Sequence, residues 1–209
     1  MWVVKLGGSL LNTCDLQATL AQLADHGAGK LVIVPGGGVF AEQVRYLQKE
    51  LCLDDVTAHR MALRAMEQFG DILTSLDPRY HAATTINAID NWLEKHEIPV
   101  WFPYDMIADN PAIKASWDIT SDSLSLWLAN SIHCRDLVLL KSTIPEDDDY
   151  SARHLSQFGF LDHAFADMMT EMLVKPWWLF YKQMEIFFNM LSNNNDSDTE
   201  MKAITVTKL

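Results

Sequence analysis

Two apolar runs that end in glycine constrain this chain more than any other feature of its sequence. The first is VVKLGGSLL at residues 3–11, and the second is LVIVPGGGVFAEQVR at residues 31–45. Short apolar runs rich in β-branched residues predict buried strands, and the helical spacing after the second run predicts a helix. Glycine at a strand end lets backbone amides approach a ligand closely, because no side chain intervenes. The pattern predicts two side-chain-free bends at the ends of neighbouring strands.

The rest of the chain alternates between predicted helices and predicted strands. Further strands are predicted at residues 98–102, 136–140, 176–181 and 203–209. Helical spacing of apolar residues predicts helices at residues 16–27, 39–53, 56–76, 83–97, 120–133, 160–174 and 183–191. Continuous apolar strands that alternate with helices are typical of an α/β fold with a mainly parallel sheet covered on both faces. With neither a repeat nor a linker, residues 1–209 are expected to form a single domain, in which the polar segment 192–200 is mobile.

Net charge, cysteine content and the lack of long apolar segments limit the partners, the metal sites and the cellular compartment that we expect. The formal net charge of -12 argues against nucleic acid or an anionic membrane surface as the main partner. The three cysteines form neither a CxxC pair nor a cluster with histidine, so we expect reduced thiols and no metal site. No apolar stretch reaches the ~18–20 residues of a membrane span, and the first residues lack the pattern of a secretory signal. These features predict a cytoplasmic protein.

The two glycine bends have the composition of a phosphate-binding site. Gly7 and Gly8 follow the first predicted strand, and three glycines at residues 36–38 follow the second. A helix that begins at such a bend offers free N–H groups and a dipole that favour an anion, usually a phosphate. Lys5 stands just before the first bend, where an ammonium group would neutralise charge on phosphate oxygens. The alternative is that both bends are tight turns and that Lys5 is solvated.

A third polar segment, SWDITSDSLSLWLA at residues 116–129, begins a predicted helix. Thr120 or Ser121 is the expected N-cap, which places Asp122 in the first helical turn and Asp118 just before the helix. As a functional residue, Asp122 would orient a lysine or hold a magnesium ion bound to nucleotide phosphates. Simple capping of the helix is the alternative.

A dinucleotide-binding pattern is a rival interpretation of the second glycine cluster. Gly36, Gly38 and Ala41 match G-x-G-x-x-G/A after a strand, and Asp54 and Asp55 lie where a ribose-binding acid is expected. This hypothesis predicts an NAD(P)-dependent oxidoreductase. It leaves the KLGGS motif at residues 5–9 without a role.

The strand ending in K-x-G-G-S, the strand ending in P-G-G-G and the later aspartate helix together resemble the amino acid kinase family. VVKLGGSLL, VIVPGGGVFAEQVR, AHRMALRAM and SWDITSDSLSLWLA are similar to the small kinases of methanofuran and methylofuran biosynthesis, including those of one-carbon metabolism in methylotrophic bacteria. The resemblance implies a three-layer α/β/α sandwich around a mainly parallel sheet. It also implies transfer of the γ-phosphoryl group of ATP, with Mg²⁺, to an aminomethylfuran methyl phosphate or a similar small acceptor.

The resemblance assigns roles to individual residues. Lys5 matches the lysine that contacts the transferred phosphoryl group, Asp122 matches the acid that organises the catalytic lysines, and Lys141 is a candidate for a second lysine. His59 and Arg60 are expected to pair with the acceptor's phosphate, unless they lie on a solvated helix face. The expected phosphate- and substrate-binding residues are Gly7, Gly8, Ser9, Gly36, Gly37, Gly38, His59, Arg60, Asp118, Thr120 and Ser121.

Three departures from the family pattern leave catalysis open. The later strand, which often ends in V-N-G-R, reads LFYK at residues 179–182. KSTIPED at residues 141–147 lacks the glycine and the aspartates that help to build the nucleotide site in many members. The second lysine of the late helix is missing near Thr170, and Lys175 is a weaker substitute for it than Lys141. The first alternative is therefore a non-catalytic homologue that binds a phosphorylated ligand or serves as a partner subunit.

An aromatic group late in the sequence bears on the oligomeric state. Trp177, Trp178, Phe187 and Phe188 are expected in the core. Their alternative location is a dimer interface, because aromatic residues are enriched at interfaces. The chain is expected to form a homodimer.

Overall fold

The structure is a computed structural model that describes residues 1–13, 15–192 and 201–206, and its centre is a seven-stranded sheet. The strands are β1 (Trp2–Leu6), β2 (Leu31–Pro35), β3 (Tyr80–Ala83), β4 (Ile98–Trp101), β5 (Asp136–Lys141), β6 (Lys175–Phe180) and β7 (Lys202–Ala203). Their order across the sheet is β3-β4-β2-β1-β5-β6-β7. Strands β1 to β6 pair in parallel, and β7 pairs antiparallel to β6.

Parallel pairing aligns the ends of the three central strands. Lys5 of β1 is in register with Val34 of β2 and with Leu139 of β5. The carboxyl ends of parallel strands meet at one edge of a sheet, which is where α/β folds bind ligands. Both glycine bends, at residues 7–8 and 36–38, therefore emerge at this edge.

Helices cover both faces of the sheet. They are α1 (Leu16–Gly27), α2 (Gly38–Leu51), α3 (Asp55–Leu76), α4 (Ile86–Glu94), α5 (Tyr104–Ile107), α6 (Ser121–Ser131), α7 (Ala152–Gln157), α8 (Phe165–Glu171) and α9 (Met184–Leu191). Val3 packs with buried residues of α4, α6, α7 and α8, whereas Val4 packs with α1, α9 and the end of α3. Successive strand residues point to opposite faces, so this split defines three layers.

The predicted fold class is confirmed: the molecule is a three-layer α/β/α sandwich around a mainly parallel sheet. Strand β3 was not predicted, because polar Arg79 and His81 interrupt the apolar pattern at this edge position. The predicted last strand is present only as the two residues of β7, and residues 207–209 lie outside the described part. The segment predicted to be mobile also lies outside it, apart from Ser192.

The late aromatic group belongs to the core, as predicted. Trp177, Trp178, Phe187 and Phe188 are all buried, on two different faces of the sheet. The alternative location at a dimer interface is therefore wrong for these side chains, and the homodimer stays a prediction. Among the described helices, none combines the length and the apolar character that crossing a membrane requires.

The two glycine bends touch each other through their backbones. A Cβ atom added at Gly8 would lie 2.2 Å from the Gly38 nitrogen, and one added at Gly36 would lie 2.6 Å from the Gly8 nitrogen. Gly38 also has a φ of +52°, in the left-handed region that favours glycine. Glycine at these positions is therefore required by the close approach of two backbone segments.

Replacing Gly8 with alanine is expected to destabilise the fold, because the new methyl group meets the Gly38 backbone, which cannot move away cheaply. We expect Gly8→Ala to lower the free energy of unfolding by about 2–3 kcal/mol, the upper range for overpacking. Gly7→Ala is the matched control, since its Cβ would meet the Leu140 oxygen at 3.2 Å. Urea unfolding of both variants tests this; equal losses would contradict the backbone contact.

Candidate active site

A cavity of about 730 Å³ lies at the carboxyl edge of the sheet, between the glycine bends, the start of α6 and the segment before α8. Its lining brings together most of the residues that the sequence predicts. These are Lys5, Gly8, Ser9, Gly37, Gly38, His59, Asp118, Thr120, Ser121, Asp122 and Lys141. Gly7, Gly36 and Arg60 do not line it.

The centre of the cavity is a carboxylate shared by two ammonium groups. Lys5 Nζ lies 2.7 Å from Asp122 Oδ1, and Lys141 Nζ lies 3.0 Å from Oδ1 and 2.9 Å from Oδ2. Lys5 and Asp122 are buried, with 5% and 6% of their surface exposed. The three residues come from β1, α6 and β5, so the sheet order rather than the sequence places them together.

Burial and charge set the protonation of this group. Burial alone would raise the pKa of Asp122, but the charges of Lys141 and Lys5 and their hydrogen bonds lower it to about 2. Burial and the charge of Lys5 lower the pKa of Lys141 to about 8, against the opposing effect of Asp122. The carboxylate is therefore ionised at neutral pH, and Lys141 titrates close to neutrality.

Lys141 is the second lysine of the site, for which the sequence offered Lys141 and, less favoured, Lys175. Its ammonium group also donates to the Phe160 carbonyl at 2.7 Å and lies 5.4 Å from the centre of the Trp178 ring. Thr170 is exposed on α8, where its hydroxyl donates to the Asp167 carbonyl. Lys175 is exposed, with its ammonium 4.0 Å from the centre of the Trp177 ring. The second ammonium at Asp122 thus comes from the end of β5.

The predicted N-cap position of α6 is confirmed at Thr120, with Asp122 in the first turn, but capping by the Thr120 side chain is not observed. Thr120 occupies the N-cap position, but its side chain accepts no capping hydrogen bond. Asp162 accepts instead, from Thr120 N at 2.8 Å, Thr120 Oγ1 at 2.9 Å, Ser123 N at 3.0 Å and the Ser123 hydroxyl. Burial and the charge of Asp122 raise the pKa of Asp162. Sequence analysis missed Asp162 because it lies 39 residues from Ser123, in a segment predicted as helix.

Some backbone amides of the glycine bends bond to strands of the sheet, and others lie at the cavity. The Gly7 amide donates to the Leu140 carbonyl at 3.0 Å, and the Gly36 amide donates to the Leu6 carbonyl at 2.9 Å. These two amides are therefore structural. The cavity is lined by the next residues of each bend, where α2 begins at Gly38 and its first-turn amides have no partner within the helix.

His59 and Arg60 are adjacent in α3 but face different surroundings. His59 lines the cavity, and its buried Nε2 atom has no hydrogen-bond partner. Burial lowers the pKa of His59, opposed by a hydrogen bond to the Ile107 backbone, so the neutral ring is favoured. Arg60 points elsewhere and pairs with exposed Asp109. Of these two residues, the structure brings only His59 to the predicted site.

The acids of the dinucleotide hypothesis have structural roles. Asp54 caps α3 by accepting from the Thr57 amide at 2.7 Å, and Asp55 accepts from the Gln48 side chain at 2.9 Å. Neither lines the cavity. This arrangement does not support a ribose site beside the Gly36 bend. In the described part of the chain, no group of three or more potential metal-ligating side chains is found.

Replacing Asp122 with asparagine is expected to leave two buried ammonium groups without a counter-charge. Loss of one partner of a buried ion pair costs about 3–5 kcal/mol, so we expect Asp122→Asn to lower the free energy of unfolding by that amount at pH 7. The loss should shrink toward pH 10, because Lys141 of the folded variant, without the charge of Asp122, releases its proton before Lys141 of the unfolded chain does, so the variant's stability rises with pH.

Asp109→Asn is the control for this experiment, since Asp109 pairs with Arg60 at the surface. Urea unfolding across this pH range gives the comparison. A loss of stability for Asp122→Asn that is small, or the same at all pH values, would contradict the charge argument.

Comparisons with known proteins identify kinases that are similar to this chain in sequence or in fold. No protein-family model matches the chain. Over 140 residues, or 66% of this chain, it is 31% identical to [5-(aminomethyl)furan-3-yl]methyl phosphate kinase of Methanocaldococcus jannaschii. The match covers 64% of that relative, so the chain spans slightly less than two thirds of its length.

Solved structures of kinases share the whole fold at low sequence identity. Uridylate kinase of Archaeoglobus fulgidus superposes with a TM-score of 0.67 at 14% identity, covering 98% of this chain and 99% of that one. UMP kinase of Ureaplasma parvum has a TM-score of 0.65 at 15% identity, covering 98% of both chains. Aspartate kinase of Synechocystis has a TM-score of 0.66 at 10% identity, covering 100% of this chain and 40% of that one. The resemblance to the amino acid kinase family is thus confirmed: this chain has the family's fold and is similar in sequence to one of its small kinases.

Proposed function

We propose that this protein is a phosphotransferase that moves the γ-phosphoryl group of ATP to a small phosphorylated acceptor. One observation carries the proposal: two buried ammonium groups share the Asp122 carboxylate in a cavity bordered by two glycine bends. The two cations outnumber the one carboxylate that they bond, so a further anion could bond them as well. A phosphoryl group in transfer supplies that anion.

The residues fit the demands of phosphoryl transfer, which are positioning and charge neutralisation. Lys5 and Lys141 would hold the transferred group between donor and acceptor oxygens, where negative charge spreads in the transition state. Asp122 would keep both ammonium groups in place, so that they need no reorganisation during the reaction. The amides that follow Gly7 and Gly37 would hold the flanking phosphates.

The acceptor that the cavity suits is an aminomethylfuran methyl phosphate or a close analogue. The relative from M. jannaschii is a kinase of such a phosphate. The cavity volume of about 730 Å³ is typical of sites for small molecules. Trp117 and Glu42 line it, offering an aromatic surface for a furan ring and a carboxylate for an ammonium group. His59 Nε2 would donate to the acceptor's phosphate in the protonated ring, since the neutral ring already uses its one N–H on the Ile107 backbone. The reaction would belong to methanofuran or methylofuran biosynthesis.

ATP and magnesium fit the residues present. Gly8, Gly37 and Gly38 line the cavity without side chains, so phosphates could approach their backbone closely. Both oxygens of Asp122 are engaged by lysines, so a magnesium ion would be held chiefly by phosphate oxygens, as it commonly is. Ser9 and Ser142 hydroxyls, 2.7 Å apart, join the first bend to the altered segment 141–147.

The altered segment favours one alternative, a non-catalytic homologue that binds a phosphorylated ligand. Turnover separates the two proposals: the purified protein is mixed with MgATP and the aminomethylfuran phosphate, and diphosphate and ADP are followed by chromatography. Phosphorylated product supports the kinase. Binding of the acceptor by calorimetry without any product supports the alternative.

Lys5→Ala is expected to lower kcat by about 100- to 1,000-fold, because it removes a charge placed on the transferred group. Lys49→Ala is the control, since Lys49 is exposed on α2 and outside the cavity. The measurement is the steady-state kinetics of both variants, after circular dichroism has shown that each variant is folded. Near-normal turnover of Lys5→Ala would contradict the role given to Lys5.

The pH profile should report Lys141. Since the charged form is required and burial lowers its pKa to about 8, kcat/KM is expected to fall above this pH by about tenfold per unit. Lys141→Arg keeps a charge at all accessible pH values, so its profile should be flat in this range even if its rate is lower. A wild-type profile that stays flat to pH 10 would rule out Lys141 as the titrating group.

A further inference from the structure

Residues 160–164, here called the clamp segment, lie between α7 and α8 and connect three parts of the site. The Phe160 carbonyl accepts from the Lys141 ammonium at 2.7 Å. The Asp162 carboxylate accepts from the start of α6, and the Ala164 amide donates to the Asp118 carbonyl at 2.9 Å. The clamp segment therefore contacts both the strand end that carries Lys141 and the helix that carries Asp122.

The bonding of Asp162 is unusually complete for a side chain that is 8% exposed. Its oxygens accept from two amides and two hydroxyls, all from Thr120 and Ser123. Burial and the charge of Asp122 raise the pKa of this carboxyl, whereas the Thr120 and Ser123 amides, which can only donate, favour its ionised form. It satisfies amides that the first turn of α6 leaves free, and its charge complements the positive end of that helix.

Hydrogen bonds to α7 also fix the backbone at Asp162. The Ser156 hydroxyl of α7 donates to the Asp162 carbonyl at 2.9 Å, and the Phe160 amide donates to the Leu155 carbonyl at 2.8 Å. The clamp segment is thus held from one side by α7 and from the other by α6. Movement of Asp162 would displace the Phe160 carbonyl from Lys141.

We infer that Asp162 is a positioning residue for phosphoryl transfer, which through the clamp segment keeps the Lys141 ammonium aligned with the Asp122 carboxylate. This inference rests on the proposed function. Asp162 acts through other residues, because its carboxylate oxygens are already occupied by α6. A misplacement of about 1 Å in a catalytic group can cost about 100-fold in rate, so such a support affects turnover.

The charges around Lys141 provide a measurement that simple capping of α6 by Asp162 would not by itself call for. The charged groups that act on its ammonium are Asp122, Lys5 and Asp162. The Phe160 carbonyl and the Trp178 ring complete its surroundings. The negative charge of Asp162 favours protonated Lys141, against burial and Lys5, so neutralising Asp162 should lower the pKa of Lys141 below about 8.

The test compares Asp162→Asn with Asp54→Asn. Asp54 also caps a helix by accepting an amide hydrogen bond, but it caps α3 and does not line the cavity. Both variants are assayed for kcat and KM across pH. Lys141 is titrated without substrate from its ¹³Cε resonance, assigned by its loss in Lys141→Met.

For Asp162→Asn we expect kcat to fall by about 10- to 100-fold with the acceptor's KM within about threefold of wild type. The Lys141 titration and the alkaline limb of kcat/KM should both move to lower pH. Asp54→Asn should leave kcat and the Lys141 titration at wild-type values. An Asp162→Asn variant with lower thermal stability but unchanged kcat and unchanged Lys141 titration would overturn the inference.

A second variant covers the case in which Asp162→Asn does not fold. Ser123→Ala removes one of the four donors to Asp162 and keeps the carboxylate charge. A severalfold lower kcat with unchanged KM supports the inference, and wild-type kcat overturns it. If the wild-type protein has no kinase activity, the proposed function fails, whereas an unchanged substrate-free titration of Lys141 in Asp162→Asn would separately overturn the link between Asp162 and Lys141.

Discussion

The shared carboxylate of Asp122 is the interaction on which the rest of the site depends. It accepts from two ammonium groups that reach it from the neighbouring strands β1 and β5. Charges are costly to bury, and such a group persists only when each charge has a close partner. At this point of the cavity two ammonium groups bond one carboxylate, and this arrangement connects the architecture with the phosphate chemistry proposed for the site.

Backbone geometry next to this ion pair supplies the second requirement, space for phosphates. The glycine bends lie so close together that a methyl group at Gly8 would meet the Gly38 nitrogen at 2.2 Å. Two strand–helix junctions therefore meet beside the lysines. The contact between the two bends requires glycine for the stability of the fold. The proposed binding of phosphates requires glycine at the same place, because a side chain there would cover the backbone amides at the cavity.

The sequence predicted the elements that rest on local patterns. The apolar run at β1, the glycines after it and the first-turn position of Asp122 could be identified because strand periodicity and helix starts depend on neighbouring residues. It predicted His59 as a site residue and Arg60 beside it, but only His59 faces the cavity. Adjacent residues on a helix point about 100° apart, and a sequence does not state which direction faces the cavity.

The amino-acid sequence by itself determined the α/β class, the two bends, Lys5 beside the first bend and the first-turn position of Asp122 in α6, because each follows from short-range spacing. Only the tertiary structure decided that Lys141 supplies the second ammonium group and that Asp162, rather than Thr120 or Ser121, caps α6. Both contacts join residues 19 or more positions apart through the packing of strands and helices. Such contacts depend on sheet order and loop path, which are properties of the whole folded chain.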